Sequence, residues 1–397
     1  MGCIKAKFNF KKKMIDIRHK ADCCGCEACV QVCPKKCIDF SKDSQGFLYP
    51  LVNKESCVDC GLCEKVCPVI NKTTPAHNAP ATLYAVKSND DAVRKQSSSG
   101  GFFSLLADYV LTNGGVVYGA AFDCVFNVCH TRVDNIADLP KLRGSKYVQS
   151  RIGNTLDECK EDLNKGKLVL FTGTPCQISS LKHFLRKDYD NLIKVEVVCH
   201  GVPSPMIYQH YLKETVIKDV KDRTITKVGF RTKLGSWKKY FFTVEYSDNG
   251  EIGEYKECIT DSLYMMGFLS DLYVRPSCFK CPAKNFTSGA DFTIADFWGQ
   301  EYTFPEYDDD KGVSAVFTNT PKAREVFTKI TSVVLEKPFA DFIKYNPSLV
   351  KSPVQTYSYG KFWKLYTKTG ELRSSIVKAK EIPFYVILIN KIKRVIK

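Results

Sequence analysis

Eight cysteines near the start of the chain repeat one spacing: Cys23-x2-Cys26-x2-Cys29-x3-Cys33-Pro34, then Cys57-x2-Cys60-x2-Cys63-x3-Cys67-Pro68. A cubane iron-sulfur cluster needs four thiolates at tetrahedral corners. A tight loop with two-residue gaps supplies three, and a distant cysteine before proline supplies the fourth. In paired runs the fourth cysteine serves the other cluster. The spacing therefore assigns Cys23, Cys26, Cys29 and Cys67 to one 4Fe-4S cluster, and Cys57, Cys60, Cys63 and Cys33 to a second. Structural zinc is the competing reading, but it favours two separated Cys-x-x-Cys knuckles over an uninterrupted run. Cys24, beside a ligand, and Cys37 read as spare thiols.

Four cysteines further on invite a third site: Cys176 in Gly173-Thr174-Pro175-Cys176-Gln177, Cys199 in Cys199-His200-Gly201-Val202-Pro203, and Cys278 and Cys281 in Arg275-Pro276-Ser277-Cys278-Phe279-Lys280-Cys281-Pro282. Cys176 follows one expected strand at a helix start, and Cys199 ends the next. If those strands are parallel neighbours, both thiols face the carboxyl edge, where open α/β sheets place their ligands. A Cys-x-x-Cys loop arriving there completes a four-thiolate site for a third 4Fe-4S cluster. Taken singly, Cys176 reads as a low-pKa thiol at a helix N-terminus, Cys199 as core and the pair as a zinc half-site. Cys3, Cys124, Cys129, Cys159 and Cys258 lack ligand spacing. His200, beside Cys199, is open to two roles: a proton donor titrating near neutrality, or a hydrogen bond to a cluster sulfur or carbonyl.

The elements that must position these residues follow from periodicity. Phe102, Phe103, Leu105, Leu106, Tyr109 and Val110 have helical spacing, and Val116 to Phe122 reads as a strand. Leu168 to Phe171 and Leu192 to Cys199 read as strands, Cys176 to Arg186 and Ser204 to Lys218 as helices, and Tyr240 to Tyr246 with Glu251 to Cys258 as a hairpin. The expected fold is an α+β two-cluster ferredoxin domain followed by a larger α/β body with a mixed sheet. The expected boundaries are 1–20 for a basic segment, 21–72 for the ferredoxin domain, 73–80 for a linker, 81–360 for the body and 361–397 for a basic tail.

Residues 21–72 resemble the bacterial two-cluster ferredoxin domain, with all eight ligand positions present. In the body, Gly144-Ser145-Lys146-Tyr147, Gly173-Thr174-Pro175-Cys176-Gln177, Cys199-His200-Gly201-Val202-Pro203-Ser204-Pro205 and Asp291-Phe292-Thr293-Ile294-Ala295-Asp296-Phe297-Trp298-Gly299 resemble the beta-subunit family of the deazaflavin (coenzyme F-420) hydrogenases and dehydrogenases. The resemblance implies a flavoprotein with bound FAD that exchanges electrons between iron-sulfur clusters and a two-electron carrier or substrate. Similar bacterial members carrying Cys-His-Gly-Val-Pro accompany surface-polysaccharide synthesis, and archaeal deazaflavin enzymes generally differ at that phrase. The residues offer a flavin site of their own: Ser99, Gly100 and Gly101 at a helix N-terminus suit a phosphate, although a plain serine cap with a glycine turn is commoner. Lys146 offers a point charge, Tyr147 a ring or hydroxyl, and Ser145 and Thr174 further contacts. His200 and Lys146 are the candidate catalytic residues. The alternative is a non-catalytic electron-transfer subunit of a larger redox complex.

The chain has 397 residues, 44% apolar and 25% charged, with 19 cysteines and a formal charge of +15. That composition excludes disorder and collagen-like order. The odd cysteine count, and a first twenty residues without the apolar run of a signal peptide, favour a reduced, cytoplasmic thiol pool over disulfides. Seven Lys and Arg fall in 1–20 against one acid and ten in 361–397 against two, so the chain between is nearly neutral. The expected partner is a redox protein or two-electron carrier. The apolar and basic stretch Ile382 to Lys397 reads equally as a peripheral contact on the inner membrane face and as packing against the protein. Nucleic acid is disfavoured, since no aromatic platform accompanies the lysines. No Walker loop or dinucleotide-binding glycine motif is present.

Overall fold

The computed structural model describes residues 14–72, 81–217, 223–248, 250–330 and 333–381. The expected linker at 73–80, most of the basic N-terminal segment and the stretch 382–397 read toward a membrane lie outside the described residues. Among the described residues no helix is long and apolar enough to cross a membrane.

The ferredoxin domain is built on short pieces: α1 (Ala28–Gln31), the antiparallel pair β1 (Ile38–Lys42) and β2 (Leu48–Val52), and α2 (Leu62–Lys65). Each helix follows directly on a cysteine loop. The body begins with β3 (Thr82–Lys87), α3 (Asp91–Gln96), α4 (Phe102–Thr112), β4 (Val116–Phe122), β5 (Val128–Val133) and α5 (Thr155–Asn164). It continues through β6 (Val169–Gly173), α6 (Pro175–Leu185), β7 (Leu192–Val197) and α7 (Pro205–Tyr211). A separate three-stranded antiparallel sheet follows, β8 (Thr224–Thr232), β9 (Phe241–Asp248) and β10 (Glu251–Cys258), then α8 (Leu263–Leu269). The chain returns to the main sheet with β11 (Phe292–Asp296), α9 (Gln300–Thr303), β12 (Ser314–Thr318), α10 (Pro321–Thr328), β13 (Val333–Lys337) and α11 (Phe339–Ile343), and closes on α12 (Tyr357–Thr369) and α13 (Leu372–Lys380).

The main sheet has eight strands in the order β13-β3-β12-β11-β7-β6-β4-β5. Its centre is parallel: β6 pairs with β4 and with β7, and β7 with β11. These strands are nearly continuous apolar runs because helices cover both faces, and Val169, Leu170, Phe171, Leu192 and Ile193 are all buried. β12, β13 and β5 are antiparallel to their neighbours, which makes the sheet mixed. The parallel register Val169↔Leu192 through Gly173↔Glu196 sends β6 and β7 to the same carboxyl edge. β7 ends at Val197, two residues short of the expected Cys199, so Cys199 lies in the loop beyond the sheet.

Helix α7 is shorter than the expected Ser204 to Lys218: it ends at Tyr211 and passes into a π turn, Leu212–Ile217. The expected tail boundary at residue 361 is corrected, since it falls inside α12. Phe362, Trp363, Leu372, Ile376 and Ala379 are buried in one cluster with Tyr208, Phe230, Phe242 and Tyr264, so burial of apolar side chains ties the chain through Lys380 to the body.

The ferredoxin domain is docked on the body by specific groups. Buried Glu27 accepts from Arg151 Nε at 2.5 Å and from Gly153 N at 3.0 Å. Gln31 Oε1 accepts from Leu156 N and Asp157 N, at 3.1 and 3.2 Å, and so satisfies two orphan donors at the start of α5. Ser204, the N-cap of α7, donates to Gln45 O at 2.6 Å, and Tyr359 OH donates to Gln45 Oε1 at 3.0 Å. Gly25, inside the first cysteine loop, sits at φ +69°, and a Cβ there would run into the Gln149 amide and come within 2.7 Å of Arg275 Nη1. Gly25→Ala should therefore destabilise the protein by roughly 2–3 kcal/mol. Gly114→Ala, with φ +70° but nothing within 4 Å, should cost only the backbone part. Thermal midpoints of the two variants check the difference, and equal midpoints would mean that the loop is not pressed against the body.

Candidate metal centres

Two cavities open in the ferredoxin domain, and each is ringed by thiols from both cysteine loops. One is lined by Cys23, Cys26, Cys29 and Cys67. The other is lined by Cys57, Cys60, Cys63 and Cys33. The donor set and its division across the two runs fit cubanes with exchanged fourth ligands. Among the described residues no three His, Cys, Asp or Glu side chains converge as ligands of a single metal ion. A cubane makes a different demand, since its four thiolates bind separate irons around a cluster-sized space.

The two cavities differ in depth. Around the first, Cys26 and Cys67 are buried, and burial pushes Cys23 and Cys29 up and Cys67 up to about 11. Around the second, Cys60 is exposed, with Val58 56% exposed beside it. Ile15 N donates to Cys63 Sγ at 3.2 Å, so the described end of the N-terminal segment closes the second loop.

Cys24 and Cys37, which read from sequence as spare thiols, also line these cavities. Cys37 Sγ lies 3.4 Å from Cys33 Sγ. Cys24 is buried in one cluster with Cys26 of the first loop, and Cys176 of the body packs against that cluster. Nothing in its spacing announces this, because its partner is supplied by a helix 152 residues away in sequence.

At the carboxyl edge of the main sheet the structure gathers Cys176, Cys199, Cys278 and Cys281. Thr174 caps α6 with a reciprocal Gln177 contact, Pro175 starts the helix, and Cys176 follows in its first turn with its Sγ 3.3 Å from Thr174 Oγ1. Cys278 accepts from Val202 N at 3.4 Å, which ties the Cys-x-x-Cys loop to the loop that carries Cys199. Burial pushes Cys278 up to about 12 and Cys281 up to about 11, each further raised by Cys176, and Cys199 is raised by burial and by the other three thiols. Cys176 departs the other way, drawn down to about 7, chiefly by the neighbouring Cys24 thiol. Burial thus disfavours the thiolate at Cys199, Cys278 and Cys281; an iron-sulfur cluster would take them as thiolates with release of protons.

His200 sits beside this group, with Nε2 2.6 Å from Asp271 Oδ1 and its ring edge-on to Phe268. The hydrogen-bond partner is a carboxylate rather than a cluster sulfur or backbone carbonyl. Phe268 also touches Tyr147, at 5.3 Å between ring centroids, so an aromatic strip joins Tyr147 to His200. Lys146 Nζ donates to Arg143 O at 3.0 Å and lies over the ring of Phe122, the last residue of β4. Burial around that ammonium draws it down to about 7 although part of the side chain stays exposed.

The remaining residues read toward a flavin are engaged elsewhere. Ser99 Oγ donates to Val313 O at 2.5 Å. Ser145 N donates to Ser98 Oγ at 2.7 Å, and the two hydroxyls meet at 2.9 Å. A Cβ at Gly100 would come within 2.6 Å of Ser314 N, so this glycine lets the loop pack against β12. Gly101, in the left-handed region, is the N-cap of α4 without a side-chain hydrogen bond. Ser99 and Gly100 therefore do not fit a phosphate cradle: the hydroxyl is spent and the close approach is to protein.

A tandem-cysteine ferredoxin domain docked on a mixed α/β sheet with further thiols at its carboxyl edge defines an iron-sulfur protein of electron transfer. Residues 22–71 match the 4Fe-4S dicluster domain, and residues 166–338 match the family described as the C terminus of the coenzyme F420 hydrogenase/dehydrogenase beta subunit. The chain thus carries a 4Fe-4S dicluster domain followed by a domain of the coenzyme F420 hydrogenase/dehydrogenase beta-subunit family. A chain of the F420-reducing [NiFe] hydrogenase complex from Methanosarcina barkeri, solved as a xenon derivative, is 17% identical, with 77% of this chain and 93% of that chain covered and a TM-score of 0.45. No curated protein matches.

Proposed function

We propose that this protein is an oxidoreductase that carries electrons through three 4Fe-4S clusters set in series between its surface and the carboxyl edge of the body sheet. The observation that carries the reading is the placement of Cys24. It joins the first ferredoxin cavity to Cys176 of the body group, while the second cavity reaches the surface at Cys60. Cubanes held by these thiols supply one-electron storage. Cys57, Cys60, Cys63 and Cys33 would hold the outer cluster, Cys23, Cys26, Cys29 and Cys67 the inner one, and Cys176, Cys199, Cys278 and Cys281 the body cluster. The partner at the exposed end is a one-electron redox protein, and the body edge serves a two-electron carrier or substrate.

The family resemblance adds a bound FAD, which would pair single electrons, and a link to surface-polysaccharide synthesis. Lys146, Tyr147, Thr174 and His200, grouped near the ends of β4, β6 and β7, support a ligand at this edge, whereas Ser99 and Gly100 do not. Within that arrangement Asp271 orients the His200 ring, and Lys146 is held at a near-neutral pKa where it can carry or release a proton. Anaerobically purified protein should be reduced reversibly by a one-electron dye, seen as bleaching and recovery of the cluster absorption. A preparation with full iron whose absorption ignores the dye would contradict the electron-carrying role. Acid release of a flavin tests the finer reading, and its absence favours a non-catalytic electron-transfer subunit.

A further inference from the structure

Arg275 is 1% exposed, one of the most deeply buried charged groups in the protein. Its Nε donates to Cys23 O at 2.7 Å, Nη2 to Leu48 O at 2.9 Å and Nη1 to Gln149 Oε1 at 3.0 Å, and Nη2 reaches Cys23 Sγ at 3.5 Å. The rings of Tyr49 and Phe47 lie 4.4 and 5.3 Å from the guanidinium. None of these partners is a carboxylate. A buried guanidinium stripped of water and lacking an anion is strongly unfavourable, so the site calls for negative charge that these side chains do not supply. The thiolates and cluster of the first ferredoxin site are the anion within reach. The backbone of Arg275 belongs to the body: its N–H donates to Val202 O at 2.9 Å and its carbonyl accepts from Cys278 N at 2.9 Å. One residue thus spans the first ferredoxin site and the loop of the body thiols.

The second ferredoxin site has no equivalent among the described residues. The lysine in its lining, Lys35, is solvent-exposed, where water screens its charge. The two sites are therefore set apart electrostatically. Reduction adds a negative charge, which burial disfavours and a nearby buried cation favours. Depth alone would leave the inner site harder to reduce than the outer one.

We infer that Arg275 is the counter-charge of the inner cluster, raising its reduction potential so that electrons entering at the exposed outer site settle next to the body. This rests on the reading that Cys23, Cys26, Cys29 and Cys67 hold a 4Fe-4S cluster. The test is a potentiometric titration of the anaerobic, full-length holoprotein followed by electron paramagnetic resonance, in wild type, Arg275→Gln and Arg275→Lys. With the charge removed, one cluster's reduction equilibrium constant should fall at least about tenfold, about 59 mV for a one-electron couple. The shifted signal should be the one missing from Cys29→Ala. Arg275→Lys, which keeps the charge without the fork, should recover most of the shift. Unchanged potentials in a glutamine variant with full iron would overturn the inference, as would a lysine variant that shifts as far as glutamine. If the glutamine variant loses its iron, the lysine variant decides: a potential near wild type upholds the role and a tenfold weaker reduction overturns it. Absence of a cluster at this site in wild type would instead overturn the underlying assignment.

Discussion

Replacing Cys67 with alanine is expected to remove about four irons per chain, and the cluster lost is that of the distant loop Cys23-x2-Cys26-x2-Cys29. Cys67 is four residues from Cys63 in sequence, yet it lines the same cavity as Cys23, Cys26 and Cys29, whereas Cys63 lines the other. Pairing variants makes the assignment decisive. Cys67→Ala combined with Cys29→Ala should lose no more iron than either alone, because both act on one cluster. Cys67→Ala combined with Cys60→Ala should lose about eight. Iron content of the two double variants reads the outcome, and the reverse pattern would mean that each loop keeps its own fourth cysteine. The same substitution should also separate the body from external one-electron dyes, since the inner cavity lies between Cys60 and Cys176.

The second large effect belongs to the body. Cys278→Ala should remove about four irons while leaving the ferredoxin pair intact, and Cys278→Ala with Cys281→Ala should remove no more. The Cys278 loop is anchored by Val202 N and Arg275, so the remaining thiols should keep their places without the cluster. Iron content with electron paramagnetic resonance of the reduced variant checks this: two ferredoxin signals persist and one is lost. Wild-type iron in the single variant would remove Cys278 from the ligand set.

Much of this arrangement is legible in the chain itself. The two cysteine runs carry the division of ligands, and the apolar runs of β6 and β7, each followed by a turn and a proline-started helix, place Cys176 and Cys199 at one edge. Those signals are local, set by spacing, periodicity and capping. The antiparallel insertion of β12 between β3 and β11 depends on β3, which is more than two hundred residues away in sequence, and short buried strands carry no register of their own. Arg275 likewise looks like an ordinary basic residue before proline. Its lack of a carboxylate becomes visible only when Cys23 and Leu48 are folded against it. Ser99 and Gly100 show the opposite case: a serine-glycine helix start resembles a phosphate loop, but in the fold the Ser99 hydroxyl is engaged by Val313 O and Gly100 packs against Ser314 N. Cys24 and Cys37 carry no signal of their own, because their neighbours already fill the spacing rule.

The central claim, three sets of four cysteines that each hold a cubane, is tested most directly by iron and acid-labile sulfide per chain in anaerobically purified protein. Three clusters give about twelve of each. About eight of each, with both ferredoxin signals present, would leave the body thiols without a cluster and contradict the series proposed for this chain.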